Sequence, residues 1–402
     1  MKEILVLGAG YAGLKAVRNL QKQSGDFHIN LVDMNDYHYE ATELHEVAAG
    51  SQPKEKITFP IKDVINTNKV NFMQDEVLRV DAENKTVTVK NNGELHYDYV
   101  VVALGFVSET FGIKGAMENA LQMTNISQAE NIHNHIVNTM KLYRETKDEN
   151  LLKLLVCGAG FTGIELAGAM VDERPKYAAL AGVKPEQIEI ICVEAATRIL
   201  PMFDDELAQY GVNLIKDLGI NLMLGSMIKE IKPGEVVYGT SKEDEELKSI
   251  TAGTIIWTTG VSGSPVMGES GFDQRRGRVM VNSDLRDPKY DNVYVIGDVS
   301  AFMDTESGRP FPTTAQIATR MGAHVAKNLL HQIKGEATED FSYSPQGTVA
   351  SVGNTHGLGV VGKTKIKKYP ASVMKKIIMN KSLVDMGGLK ELLAKGRFDL
   401  YH

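Results

Sequence analysis

An α/β fold of two doubly wound units is predicted by three features of this 402-residue chain. A short apolar strand runs through a glycine turn into a helix and then into a second strand that ends on a carboxylate. The same pattern returns about 150 residues later. Thirty-seven glycines stand against twelve prolines, as expected where strands feed helices through tight turns that ligands approach closely. The length favours two or three domains over one core.

In chain order, residues 4–7 (ILVL) read as a buried strand, GAGYAG as the turn, LKAVRNLQK as the helix and HINLVD as the second strand, ending at Asp33. Gly8, Gly10 and Gly13 then have separate tasks: the tight turn, backbone access for a pyrophosphate, and close packing of helix on strand. The helix N-terminus faces the phosphates and the Asp33 carboxylate accepts bonds from ribose hydroxyls. Strand-rich pieces follow (VNFMQDEVLRVD, KTVTVK, YDYVVVALG), then a polar helical stretch from about Ser127 to Asn150. The second unit, LKLLVCGAGFTGIELAGAM to IEIICVEAA, carries Gly158, Gly160 and Gly163 and ends at Glu194. A carboxylate at that place pairs with a free 2′-hydroxyl and repels a 2′-phosphate, so NADH is expected over NADPH, with Arg198 four residues on as a counter-signal.

The strands INLMLGSMIKEI, TIIWTTG and YDNVYVIGD come next, so the second unit reads as an insertion in the first. The expected domains are 1–110 with 261–335, then 111–260, and a C-terminal region 336–402. Two dinucleotide units of different sequence suggest one resident and one exchanging dinucleotide, a flavin reduced by a nicotinamide.

Charge is segregated along the chain. The net charge is −7, yet residues 363–402 hold ten Lys/Arg against three Asp/Glu, leaving a body near −14. Such a body argues against nucleic-acid binding. In the tail, Val373, Met374, Ile377 and Ile378 fall on one side of a helix expected from about Ser372, with Lys375, Lys376 and Lys381 reaching outward. Gly387-Gly388 interrupts it before a short second face of Leu389, Leu392 and Leu393. The lysines forbid spanning a bilayer and suit lying in its interface; packing on the body or on a dimer partner is the alternative. No cleavable signal peptide or transmembrane segment is expected. Cys157 and Cys192 read as core thiols, and no metal site is expected from His38, His45, Glu40, Glu43 and Glu46.

VLGAGYAGL, VVVALG, CGAGFTGIE, IIWTTGV and VYVIGD resemble, in order, the glutathione-reductase-like flavoproteins with two Rossmann-like dinucleotide-binding domains. YHYEATELHEVAAG has no cysteine where disulfide reductases place theirs, and no cysteine follows Cys192, against a sulfide:quinone oxidoreductase. RPFPTTAQIATRMG, NDYHYEATELHEVAAG, GFVSETFGI, VEAATRILPMF and GTVASVG resemble type II NADH:quinone oxidoreductases.

That resemblance implies non-covalent FAD at Gly8, Ala9, Gly10, Tyr11, Ala12, Gly13, Asp33, Met34, Val77, Gly105, Asp298, Ala315 and Gln316. It implies NADH at Gly158, Gly160, Phe161, Thr162, Gly163, Glu194 and Gly260, and a quinone, menaquinone by expectation, at Gln316 and Arg320. Glu165 matches the acidic residue near the meeting of nicotinamide, flavin and quinone, where a desolvated carboxylate with a raised pKa could relay protons. Arg320 replaces a glutamine of the family, and Ala169 an acidic residue. The implied protein is a respiratory, non-proton-pumping NADH dehydrogenase, peripheral on the cytoplasmic face of the cell membrane, with a homodimer as one arrangement. The other readings are a soluble flavin-dependent NADH oxidase or ferredoxin/rubredoxin reductase, and an NADH-sensing flavoprotein with little turnover.

Overall fold

The computed structural model describes residues 1–399 except 242, 243 and 245, so the last three residues of the expected C-terminal region lie outside the described residues. A parallel five-stranded sheet is ordered Val293–Val295, Tyr99–Val102, Lys2–Leu7, Phe27–Asp33, Val70–Gln74. Its strands are near-continuous apolar runs because helices or loops cover both faces. A second parallel sheet is ordered Leu121–Gln122, Thr254–Trp257, Lys153–Cys157, Glu189–Val193, Ile220–Met223. The first sheet takes its edge strand, Val293–Val295, from beyond the second sheet in sequence. The chain crosses between the sheets twice, on Phe106–Ser108 and Val261–Gly263, which pair antiparallel.

The long helix Phe161–Ala181 follows the second glycine turn and buries Ile164, Leu166, Ala167 and Met170. Against it lies the short helix Leu44–Ala49, fixed by a bond from the Tyr177 hydroxyl to the Ala49 carbonyl. The antiparallel sheet Gly347–Ser351, Gly357–Val361, Thr364–Lys367 then returns to Phe161–Ala181 at Gly168. A Cβ at Gly168 would lie 2.3 Å from the Gly353 nitrogen, so only glycine admits this approach. Ser351, Asn354 and Thr355 are thereby brought over the N-terminal half of that helix.

The tail helix begins at Lys368 and runs to Gly387, starting earlier than the apolar spacing suggests because Pro370 is tolerated in a first turn, whose N–H groups lack intrahelical partners. Gly388 (φ 85°) ends it, and a second helix covers Leu389–Lys395. Ala371, Lys375, Met379, Leu383 and Met386 form its buried stripe, at the i, i+4 and i, i+3 spacings of one helix face. Lys375 and Lys376 therefore point inward, correcting the expectation that they flank the outer face; Lys381 is exposed as expected. What the outer face carries is apolar: Ile377 and Ile378 are exposed, and Leu389, Leu393 and Phe398 are 69%, 78% and 60% exposed. Among the described residues no helix is long and apolar enough to cross a membrane.

Candidate functional site

The two glycine cradles have matching geometry. Gly8 (φ 98°) and Gly158 (φ 103°) sit against the chain: a Cβ would lie 2.3 Å from the Ala103 oxygen at Gly8 and 3.0 Å from the Thr259 Cα at Gly158. At Gly13 and Gly163 a Cβ would meet the preceding Gly8 and Gly158 carbonyls at 1.9 and 2.0 Å. At Gly10 and Gly160 nothing lies within 4 Å, and each is the N-cap of a helix without a side-chain cap. Open space over uncapped N–H groups is what a pyrophosphate needs, so both cradles fit a dinucleotide. Asp33 accepts from the Ala9 and Asn35 N–H groups at 2.6 and 2.8 Å; Glu194 accepts from those of Ala159 and Ala196 at 2.8 and 2.9 Å. Arg198 is turned away onto Asp205 and the Phe203 carbonyl, both at 2.7 Å.

Around the first cradle, Tyr11 and Ala12 start the helix Tyr11–Leu20, Met34 is exposed beyond Asp33, Val77 is buried at a strand start, and Gly105 has open space before it. Burial raises the Asp298 carboxyl, with Arg278 and Thr313 opposing. Ala315 and Gln316 open the helix Ala315–Ile333. The Gln316 side-chain oxygen accepts from the Tyr343 hydroxyl (2.7 Å) and the Gln346 N–H (3.0 Å), leaving the NH2 as the donor. Arg320, one turn on, is exposed. Around the second cradle Phe161 edges onto Phe203, Thr162 is exposed, and Gly260 lies under the Phe111 ring.

The charged centre between the cradles is built from three distant segments. Lys375, on the tail helix, donates to Glu165 at 2.8 Å and lies 3.6 Å from Glu43. Glu165 also accepts from the Ser351 N–H at 3.1 Å. Burial pushes the Glu165 carboxyl up, but Lys375, His45 and the Ser351 bonds outweigh it and hold it below the usual carboxylate range. This corrects the expected raised pKa: a buried ammonium in direct contact keeps this carboxylate charged. Burial likewise opposes the Lys375 charge, yet Glu165 and Glu43 raise its pKa.

The carboxyls that are pushed up stand elsewhere. Burial lifts Glu43 to about 8, the more distant Lys375 only partly offsetting it, and lifts Glu40 to about 7. Glu40 accepts from the Ser382 and Tyr11 hydroxyls at 2.7 and 2.8 Å, which ties the tail helix to the first cradle. Burial lowers His45, and lowers His38, which bonds the Ala9 carbonyl, to about 4. Arg397 closes the group from the chain end, with 2.7 Å bonds to both Glu46 oxygens. Glu43, His45 and Glu46 do come within 4.8 Å of one another, but Arg397 and Lys375 already supply the cations there. Glu40, Glu43, Lys375 and Arg397 were not singled out as site residues from the sequence. The available signals were glutamates at i, i+3 and i+6, and a lysine on the apolar stripe of the tail.

This paired-cradle fold, with a charged centre between the cradles and no thiol beside it among the described residues, defines a flavin- and nicotinamide-dependent oxidoreductase of the two-dinucleotide class. Residues 2–322 match the pyridine nucleotide-disulphide oxidoreductase family. The chain is 42% identical over 401 residues to a type II NADH:quinone oxidoreductase of Staphylococcus aureus, and 41% identical to one of Staphylococcus saprophyticus, with 99% of each chain covered in both cases. The chain belongs to the type II NADH:quinone oxidoreductases within that family. Its fold is shared with NDH2 from Plasmodium falciparum, solved in complex with NADH (TM-score 0.87, 17% identity, 98% and 97% of the two chains). It is also shared with the sulfide:quinone oxidoreductase of Aquifex aeolicus (TM-score 0.78, 19% identity, 100% and 96%).

Proposed function

We propose that this chain oxidises NADH and delivers two electrons, through FAD held by the first cradle, to a quinone dissolved in a membrane, menaquinone being the expected one. FAD supplies the two-electron chemistry that couples a hydride donor to a quinone. In this reading the domains divide at residues 110/111, 260/261 and 335/336. FAD lies along Gly8–Gly13, Asp33, Met34, Val77, Gly105, Asp298 and Ala315, and NADH along Gly158–Gly163, Glu194 and Gly260. The engagement of Arg198 with Asp205 favours NADH over NADPH. The Gln316 NH2 is oriented to donate to a quinone carbonyl, with the Arg320 cation at the rim.

One observation carries the membrane side of the proposal. The tail turns its buried face to the redox region, through Lys375 to Glu165 and Ser382 to Glu40, and its apolar outer face to solvent. That outer face is the foot of a peripheral protein, on the cytoplasmic membrane surface where NADH is found, and two copies side by side fit the same surface. Deleting the tail would take Lys375 and Ser382 with it, so surface substitutions are the cleaner probe. The holoenzyme should show a flavin spectrum that NADH bleaches and a menaquinone analogue restores; bleaching without quinone-dependent recovery would sink the proposal.

A further inference from the structure

We propose that Glu43, rather than Glu165, holds the proton that the chain supplies to the quinone, taking it from solvent through the cavity beneath Ser351–Thr355 and releasing it under the tail helix. The inference rests on the quinone-reductase reading. NADH gives up a hydride, and the quinone gains two electrons and two protons to become quinol, so each turnover draws one proton from solvent. In the proposed step the Glu43 O–H bond breaks as it passes its proton to a water in the small cavity under the tail helix, that water passes a proton on toward the quinone oxygen where a quinol O–H forms, and the carboxylate is then reprotonated from solvent.

Three observations place that proton on Glu43. First, the partners of the two carboxylates differ. Glu165 has the ammonium at 2.8 Å and a backbone N–H, an arrangement that suits a permanent anion. Glu43 is 1% exposed, has the ammonium only at 3.6 Å, and accepts a 3.3 Å bond from Thr42. Its Oε2 has no hydrogen-bond partner among the described residues. A buried anion with an empty oxygen is costly, whereas a neutral acid there carries its own donor. One lysine between two buried carboxylates neutralises one, and the closer carboxylate is Glu165.

Second, cavities of opposite character lie to either side of this group; Glu43 borders only the second and meets the first through His45, whose ring nitrogen lies within 4.8 Å of its carboxylate. A polar cavity of about 320 Å3 is lined by His45, Glu46, Glu165, Glu173 and Asn354, with exposed Asp172 among its walls. Ala169 also lines it, a methyl where the family pattern has an acid. A second cavity of about 10 Å3, room for about one water, lies under Met379 and Leu383 of the tail helix and is bordered by Glu40 and Glu43. Glu40 Oε1 is, like Glu43 Oε2, without a partner among the described residues. Third, Glu40, which borders the small cavity, accepts from the Tyr11 hydroxyl of the first cradle and so links that cavity to the FAD side.

The groups facing Glu43 are Glu40, His45 and Glu46 from its own segment, Glu165 from the long helix, Lys375 from the tail helix, and Arg397 from the chain end. Lys56 and Lys395 border the small cavity. Nearest to it, Lys375 and Arg397 offset Glu46 and Glu165, so the burial of Glu43 decides its state.

The test uses the holoenzyme and two readouts. In pH-difference infrared spectra of the resting enzyme, a protonated-carboxyl band should titrate near pH 8, be missing in Glu43→Gln, and move to lower pH in Glu165→Gln, where Lys375 has only Glu43 left to neutralise. Quinone-limited turnover should fall above the same pH in wild type. In Glu43→Gln it should be about 10–100-fold lower at pH 7 and lack that inflection, and Glu43→Asp should restore an inflection. A pH 8 band that survives Glu43→Gln unchanged overturns the assignment, as does an unchanged pH profile in Glu43→Gln; a separate band near pH 7 that persists in Glu43→Gln is that of Glu40. If wild type itself shows no quinone turnover, the parent reading fails instead. The infrared band then still decides whether Glu43 carries the proton.

Discussion

Replacing Lys375 with methionine removes the only ammonium that contacts both Glu165 and Glu43 among the described residues. Methionine fills the stem's place on the apolar stripe, so packing is largely kept and the electrostatic loss is isolated. Breaking a buried ion pair from one side leaves an uncompensated charge and costs about 3–5 kcal/mol. For a protein of this size that is a fall in Tm of roughly 5 °C. Without the ammonium, burial raises the Glu165 carboxyl in the folded state. The penalty is then complete above that raised pKa and fades as pH falls toward the ordinary carboxylate range, because the folded state binds more protons than the unfolded one. Lys375→Met should therefore melt well below wild type at pH 8 and closer to it at pH 5. Adding Glu165→Gln should recover about 1–3 kcal/mol of the loss at pH 8. Circular-dichroism melts of the holoenzymes at both pH values decide it. A penalty independent of pH, with no recovery in the double variant, would refute the buried-pair reasoning.

The cradle geometry separates two glycines of one motif. Gly10→Val meets open space, so the chain should fold but purify with little flavin, read from the flavin-to-protein absorbance ratio; Gly13→Val should instead fail to accumulate, since its Cβ meets the Gly8 carbonyl. Gly168→Val forces the C-terminal sheet off the long helix and should cost at least about 1–3 kcal/mol, with quinone reduction lost before NADH-driven bleaching. Burial places Glu40 near 7, so its share of stability declines as pH rises from about 4.5 toward 7, by on the order of 3 kcal/mol. Glu40→Gln should flatten melting temperature against pH over that window.

Both parallel sheets and both cradles were legible in the sequence because local pattern determines them: apolar runs of strand length, glycines at fixed offsets, and Asp33 and Glu194 at the strand ends. The charged centre was not. Glu165 was picked out, but its ionisation depends on Lys375, 210 residues away in sequence, and no local pattern carries that contact. The tail was half legible. Its apolar residues are readable in the sequence, but charge there reads as solvent exposure, which puts Lys375 and Lys376 outside. Lys375 follows Ala371 and precedes Met379 and Leu383 at four-residue steps, a spacing that puts it inside once a buried carboxylate is there to receive it. Lys376 finds Asp399, which no helical spacing connects to it.

The most direct test of the account is whether the exposed apolar face of the tail brings this chain to the membrane that holds its quinone. Leu389→Ser, Leu393→Ser and Phe398→Ser together leave Lys375, Ser382 and Arg397 in place, and should weaken binding to anionic vesicles by about 3 kcal/mol, on the order of a hundredfold. Vesicle sedimentation, paired with NADH oxidation by menaquinone in the bilayer and by a water-soluble quinone, is the measurement. The account predicts that vesicle binding and turnover with bilayer menaquinone fall together while turnover with the soluble quinone is kept. Unchanged vesicle binding and unchanged turnover with bilayer menaquinone would contradict it.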